Sequence, residues 1–369
     1  MHEVIDDLTG LHSLAEEWNS LAARFNTPLL RHEWFAACAE ACCPPGRLSI
    51  LIIRSQQELR AIAPLVLIQR DGIERLEEPL GSALGEPGGL IYRDEAALRE
   101  LVRAMVALRR PIVLAKLPSA SPAVSVLGEL CRGKGMLSIR DAPACPWLPI
   151  TSSWAEFEAK MSSSRRYNLR RKYKLAEKSG PVEVEIISPT PANLTPYLDE
   201  VFRVEAAGWK GRNDSSILST PWLKRFLESY SLATARLGLL RLYFFRVNCK
   251  AIAVRLAVEY ARRIWELKIG YDEAWAKCSP GILLTHETLR HTFEQGLEAY
   301  EFLGIDAAWE HLWTDHTHAY VFPRFYPYSG RGMLGLGTDV PRFVFRKFMH
   351  SIKNPPTLFR ASTIRGKGK

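Results

Sequence analysis

The chain has 369 residues, 47% of them hydrophobic, with ten tryptophans and a formal net charge of +9. That length suits about two domains, and that much apolar material fills real cores, which excludes a disordered or fibrous chain. No apolar run reaches the ~18 residues a membrane span needs, and the opening MHEVIDDLTG is acidic without the apolar core of a signal peptide, so a cytoplasmic protein is expected.

Taken in order, residues 11–25 read as an amphipathic helix on Leu14, Trp18, Leu21 and Phe25, and residues 32–42 as a second. Residues 48–53 and 59–67 read as paired strands around a turn at 55–58. A Gly-rich loop over 81–89 leads to a helix at 95–108, a strand at 112–115 and a helix at 124–131. This first α/β unit closes near residue 150, where Pro143, Pro146 and Pro149 suggest a boundary.

The second unit opens with a helix at Ser153-Trp154 and a strongly basic helix over 161–175. Arg165, Arg166, Arg170, Arg171, Lys172, Lys174 and Lys178 face a single acid there, Glu177. Either this is a solvated helix face, or it is an electrostatic cradle for a polyanion such as a nucleotide's phosphates or tRNA. A second basic block, residues 342–369, carries eight cations and no acid, so the rest of the chain is net acidic.

Gly180 ends the basic helix, and residues 182–187 alternate as a strand. The helix after Pro196 carries Glu205, Trp209, Lys210 and Arg212 at its end: a tryptophan cap over a core, or a site loop in which Glu205 and Lys210 serve as base and anion clamp. Residues 239–247 and 251–259 form a hairpin around Asn248-Cys249-Lys250, with 262–269 as the next strand.

The stretch 262–304 organises the second unit as strand, loop, helix, strand. Pro280 and Gly281 start its helix without bulk, so several backbone N–H groups face the space before it, an arrangement that holds anions. The plainer alternative is an ordinary crossover. Cys278 in this loop is a packing residue or, less simply, a nucleophile. The seven cysteines contain no CxxC pair, and neither a disulfide framework nor a metal site is indicated.

The run SSRRYNLRRKYKLAEKSG, then EAAGWKGR, AIAVRLAV, LKIGYDEAWAKCSPGILL and EFLGIDAAWEHLW, resembles the acetyltransferase-like domain of the CelD-type proteins of cellulose biosynthesis. That family belongs to the GNAT superfamily and is similar to Fem-type peptidyltransferases. The resemblance is close over about residues 150–330 and looser over 1–150. It implies a mixed-sheet α/β fold of tandem GNAT-like domains, at 1–150 and 151–335, followed by a basic tail at 336–369.

It further implies that Cys278, Ser279, Pro280, Gly281 and Ile282 contact an acetyl-CoA or other acyl-CoA donor, with Leu267, Lys268 and Ile269 lining its pantetheine arm. Glu205, Lys210 and Asp306 become the catalytic candidates, and Arg165, Arg166, Arg170, Trp209 and Arg212 the groups that hold substrate charge. Where many relatives carry an acid followed by Tyr-Lys, this chain has Asp306 followed by Trp309-Glu310.

Two patterns are set aside. Gly330 to Gly335 satisfies G-x-G-x-x-G, but the residues after it do not suit a long helix. His311, Asp315, His316 and His318 match no helical ligand spacing. The expected activity is acyl transfer from a CoA thioester to an amine or hydroxyl, such as a sugar or polysaccharide precursor. Its rivals are aminoacyl transfer from charged tRNA and a non-catalytic scaffold. The basic tail could meet an anionic membrane surface.

Overall fold

A computed structural model describes residues 2–79, 81–208 and 216–340. Trp209, Lys210 and Arg212, and the basic block over 342–369, lie outside the described residues. The strands of the first half are β1 (His2–Ile5), β2 (Ile50–Ser55), β3 (Glu58–Ala63), β4 (Val66–Arg70), β5 (Ile73–Glu77), β6 (Ile91–Tyr92), β7 (Ile112–Val113), β8 (Leu117–Pro118) and β9 (Gly135–Pro149). Those of the second half are β10 (Val182–Ile187), β11 (Leu240–Val247), β12 (Lys250–Tyr260), β13 (Arg263–Tyr271), β14 (Ala299–Glu301) and β15 (Thr317–Pro327).

A four-stranded sheet runs β1-β2-β3-β6, and a long mixed sheet runs β10-β11-β12-β13-β14-β9-β15-β7-β5-β4. The hairpin turns have both central residues left-handed, Gln56 and Gln57 (φ 49° and 71°) and Asn248 and Cys249 (φ 49° and 61°), which matches the twist of the flanking strands. The expected strand over 59–67 divides at Pro64, which has no N–H to donate. Its two parts, β3 and β4, enter different sheets. The expected helix over 11–25 is likewise broken, into Leu8–Ser13, Ala15–Ala22 and the 3₁₀ turn Ala23–Phe25.

The three prolines read as a boundary lie within one continuous strand, β9. Pro143 and Ala144 oppose the single residue Ala319 in a bulge, between the pairs His318↔Cys145 and Tyr320↔Ala142. A missing N–H costs no ladder bond there. The chain therefore passes from its first half to its second along a strand, and β15 returns to pair with β7, β8 and β9.

Side-chain alternation along β11 sorts the cores. Leu242 and Phe244 pack with helices Leu194–Ala206 and Pro221–Arg236. Tyr243, Phe245 and Val247 pack on the other face with helices Ser163–Glu177 and Pro280–Glu294. The first of these cores crosses the halves, since Trp34 of helix His32–Cys42 stands edge-on to Phe226 and Tyr230, with centroids 5.0 and 5.1 Å away.

The Gly330 to Gly335 run is itself helical, part of a helix over 330–340. A Cβ on Gly332 would overlap the Pro327 carbonyl, so this glycine allows close packing. The fully buried Arg75 pairs with Asp339, which also accepts a 2.6 Å bond from the Tyr326 hydroxyl, and together these fasten the helix.

Helix Leu194–Ala206 approaches β13 closely at Gly270, where a Cβ would lie 2.7 Å from the Glu205 Cα and 2.9 Å from its Cβ. Gly270→Ala should therefore destabilise the protein by about 1–3 kcal/mol through overpacking. Thermal unfolding checks this, with Gly281→Ala as a control expected to change little, because its Cβ would meet nothing nearer than Tyr271 Cδ1 at 3.5 Å.

Candidate functional site

β13 and β14 run parallel only from Arg263↔Ala299 to Trp265↔Glu301. Beyond that they separate. On its other side β13 carries an extra residue, Leu267, between the pairs Ala257↔Glu266 and Leu256↔Lys268. Such a bulge bends a strand and increases its twist. Where the strands part lies a cavity of about 470 Å³ with mainly apolar walls, including Val254, Ile269, Ala276, Ile282 and Leu284.

Of the residues expected to meet a donor, Ile269, Ser279, Gly281 and Ile282 line this cavity. Leu267 instead turns into the core with Leu256 and Val258. Lys268 is half-buried, and its charge acts on the buried carboxyl of Glu86. Pro280 and Cys278 are buried. The Cys278 thiol donates to the Trp275 carbonyl at 3.1 Å, and burial raises its pKa above the ordinary range. That favours the packing reading over the nucleophile.

The helix start differs from the expected row of free donors. Ser279 is left-handed (φ 49°), and its carbonyl accepts from the Ile282 and Leu283 N–H groups at 3.0 and 3.2 Å. Pro280 has no N–H, so Gly281 is the residue of the first turn that keeps a donor at the cavity.

Arg255 also lines the cavity, although its residue is only 2% exposed. Its Nε lies 2.8 Å from the Glu266 carboxylate, Nη1 donates to the Tyr300 hydroxyl at 2.9 Å, and Nη2 donates to Thr285 Oγ1 at 2.8 Å. The Tyr300 hydroxyl in turn donates to Glu266. One guanidinium thus ties together β13, β14 and the Pro280–Glu294 helix. A lone charge in the apolar run Ala251-Ile-Ala-Val-Arg255-Leu-Ala-Val was the available sequence signal, because an arginine there must be buried and therefore paired.

Outside the cavity the basic helix forms a groove lined by Arg170, Arg171, Lys172, Lys174, Lys178 and Lys277. Lys172 donates to Ser279 Oγ, so the groove adjoins the cavity. Two neighbours are committed elsewhere: Arg165 donates to the Leu312 carbonyl, and Arg166 to the carbonyls of Glu158, Ala159 and Met161 at 3.2, 2.9 and 2.6 Å. Arg170 alone of the three arginines singled out faces the groove.

Glu205 is 3% exposed, lines the cavity and accepts from the Ile217 N–H at 3.0 Å. Asp306 lies on the surface, 3.1 Å from His311 Nε2. Glu310, noted as a departure from the relatives' pattern but not among the catalytic candidates, is 5% exposed and accepts from the Ala307 N–H at 2.7 Å. Burial, with the Glu266 and Asp306 carboxylates adding to it, pushes the Glu310 carboxyl up to about 7. Its neighbour Trp309 lines the cavity. Among the described residues no group of three or more acidic, histidine or cysteine side chains is placed to hold a metal, and no helix is long and apolar enough to cross a membrane.

Residues 163–311 match the family model described as an acetyltransferase (GNAT) domain. The match takes in the basic helix, β10 to β14 and the cavity, so the expected mixed α/β fold with a GNAT-type domain is what the chain adopts. No curated protein matches the chain in sequence.

Among solved structures, the fold is similar to the C-terminal DUF2156 domain of a putative lysylphosphatidylglycerol synthetase from Agrobacterium fabrum, with TM-score 0.56 and 11% identity over 89% of this chain and 96% of that one. It is also similar to L-PGS from Bacillus licheniformis, with TM-score 0.55 and 13% identity over 90% and 96% of the two chains. FemX shares it with TM-score 0.55 and 12% identity, over 88% and 96%. At these identities the likeness is one of fold.

Glu310 gives the GNAT-matched segment a pH signature. Its carboxyl has a folded pKa raised above the unfolded value, so the stability tied to its proton is present at acid pH and is lost as pH rises through about 7. Glu310→Gln keeps the Ala307 bond without the titration. Chemical denaturation from pH 5 to 8 should show the wild type losing stability toward pH 8 relative to the variant. Parallel pH curves would remove Glu310 as the cause.

Proposed function

We propose that the chain is an acyltransferase whose donor is a CoA-type thioester held between β13 and β14, and whose acceptor is an amine or hydroxyl. The observation that carries this reading is the apolar cavity at the strand divergence, bounded by the Ser279–Gly281 helix start and adjoined through Lys172 by a groove of six cations. An apolar arm fits the first and a phosphate-rich end the second. The family match adds to it.

Direct transfer needs the acceptor held against the thioester carbonyl and relieved of one proton as its nitrogen or oxygen attacks. The tetrahedral intermediate then collapses with the thiolate leaving and taking a proton. Glu205, the acidic residue among those lining the cavity, is the leading candidate base. Asp306, on the surface and paired with His311, is the second. Lys210, Trp209 and Arg212 keep their proposed place as acceptor or donor clamps. The CelD-type resemblance points to a sugar or polysaccharide precursor as acceptor, and the basic tail to contact with an anionic surface.

A second reading, aminoacyl transfer from charged tRNA, is favoured by the length of the groove, whose cations extend from Arg170 to Lys178 and across to Lys277. Salt separates the two, because binding a polyanion through many phosphates weakens steeply with ionic strength.

Calorimetric titration with acetyl-CoA and a longer acyl-CoA should give binding that Gly281→Leu abolishes, since the new side chain enters the cavity. Lys172→Ala should weaken binding by about tenfold, the loss of one charge-assisted phosphate contact. Absence of heat with both donors, together with a charged-tRNA mobility shift, would move the assignment to the tRNA reading. Absence of both leaves a scaffold.

A further inference from the structure

The lining of the cavity is chemically mixed. Val254, Ile269, Ile282 and Leu284 would suit an alkyl group, whereas Arg255, also among the lining residues, carries a guanidinium. Arginine has five N–H donors. Two are occupied, by the Tyr300 and Thr285 hydroxyls, while Nε stands 2.8 Å from the Glu266 carboxylate as an ion pair without a hydrogen bond, and the hydroxyls are fixed as acceptors because each spends its own proton elsewhere. Tyr300 donates to Glu266, and Thr285 donates to the Gly281 carbonyl at 2.9 Å. One N–H on each terminal nitrogen has no protein partner among the described residues. Leaving such donors unmatched on a group only 2% exposed is costly, and an alkyl chain against them would make it permanent.

Charge decides which acceptor suits them. Glu266 already balances Arg255, and its field contributes to the raised Glu310 carboxyl nearby. A further carboxylate would be buried in surroundings that already disfavour negative charge, whereas a carbonyl or hydroxyl oxygen adds none. Building on the CoA-thioester reading, we infer that Arg255 receives a neutral oxygen of the transferred acyl group, so that the site selects its donor by that oxygen and not by alkyl length.

Two oxygens meet this description: the thioester carbonyl itself, or a hydroxyl or keto oxygen further along the chain. Calorimetry on the full chain with coenzyme A, acetyl-CoA, butyryl-CoA, 3-hydroxybutyryl-CoA and succinyl-CoA separates them. If the carbonyl is held, acetyl-CoA binds about tenfold or more tighter than coenzyme A, and the 3-hydroxyl adds nothing. If a chain oxygen is held, 3-hydroxybutyryl-CoA exceeds butyryl-CoA by a similar factor of about ten. In both cases succinyl-CoA gains nothing over butyryl-CoA.

The double variant Arg255→Met/Glu266→Gln removes the ion pair as a unit, leaving no uncompensated charge, and should erase the preference, read as the ratio of affinities between the ligands compared. The wild-type comparison decides even where that variant does not fold. Equal affinity for all five ligands, tightest binding of succinyl-CoA, or a preference that survives the double change would overturn the inference. Failure of coenzyme A itself to bind would instead overturn the donor reading on which it rests.

Discussion

A buried guanidinium holds the cleft in shape. Arg255 is 2% exposed and Glu266 4%, and neither charge could remain there without the other. Removing one partner of such a pair costs about 3–5 kcal/mol, a large share of the 5–15 kcal/mol that keeps a typical protein folded. The pair is therefore a constraint on geometry before it is anything else. Because the remaining bonds go to Tyr300 on β14 and Thr285 on the helix, the separation of β13 from β14 and the seat of the helix are set together. The Tyr300 bond to Glu266 ties β14 to β13 at the end of their parallel ladder.

The first half of the chain acts on the same place from the other end. Gly304, left-handed at φ 63°, follows β14 and begins the loop that carries Trp309 and Glu310. Its N–H donates to Glu86 at 3.0 Å, and its carbonyl accepts from the buried Lys116, both residues of the first half. A backbone unit gripped on both sides by buried charged groups has little freedom, so Trp309 reaches the cavity from a fixed root. With the shared core around Trp34, Phe226 and Tyr230, this makes the first half part of the frame of the site whether or not it binds a ligand itself.

Much of this was legible in the sequence where local chemistry decides structure. The limits of helix His32–Cys42 and strand β10 follow from periodicity and punctuation, and the Pro280 start follows from a residue that needs no partner for its missing N–H. What escaped depends on partners distant in sequence. β9 reads as a boundary because a proline inside a strand needs a special place, and the bulge that gives Pro143 one exists only through pairing with β15, more than 170 residues later. The helix over 330–340 escaped because one of its glycines, Gly332, is explained by the Pro327 backbone it packs against. Arg165 and Arg166 look identical to Arg170 along the chain, yet they cap carbonyls while Arg170 faces solvent. Residue type gave the charge, and only tertiary placement gave its use.

The two buried acids near the cavity illustrate why position must be weighed before basicity. Glu310 has the pKa expected of a group that exchanges protons near neutrality, but burial beside other carboxylates is what produces that value, and its Oε2 accepts from the Ala307 N–H. Glu205 lines the cavity, with its carboxylate anchored by the Ile217 N–H. A proton is taken by a group within hydrogen-bond reach, and only then does its affinity for the proton set the rate. Under the acyl-transfer reading Glu205 therefore has the first claim on the acceptor's proton. Glu310 acts through the field: when it ionises, the interior that surrounds Arg255 and Glu266 becomes more negative, which strengthens the demand that the oxygen facing Arg255 be neutral.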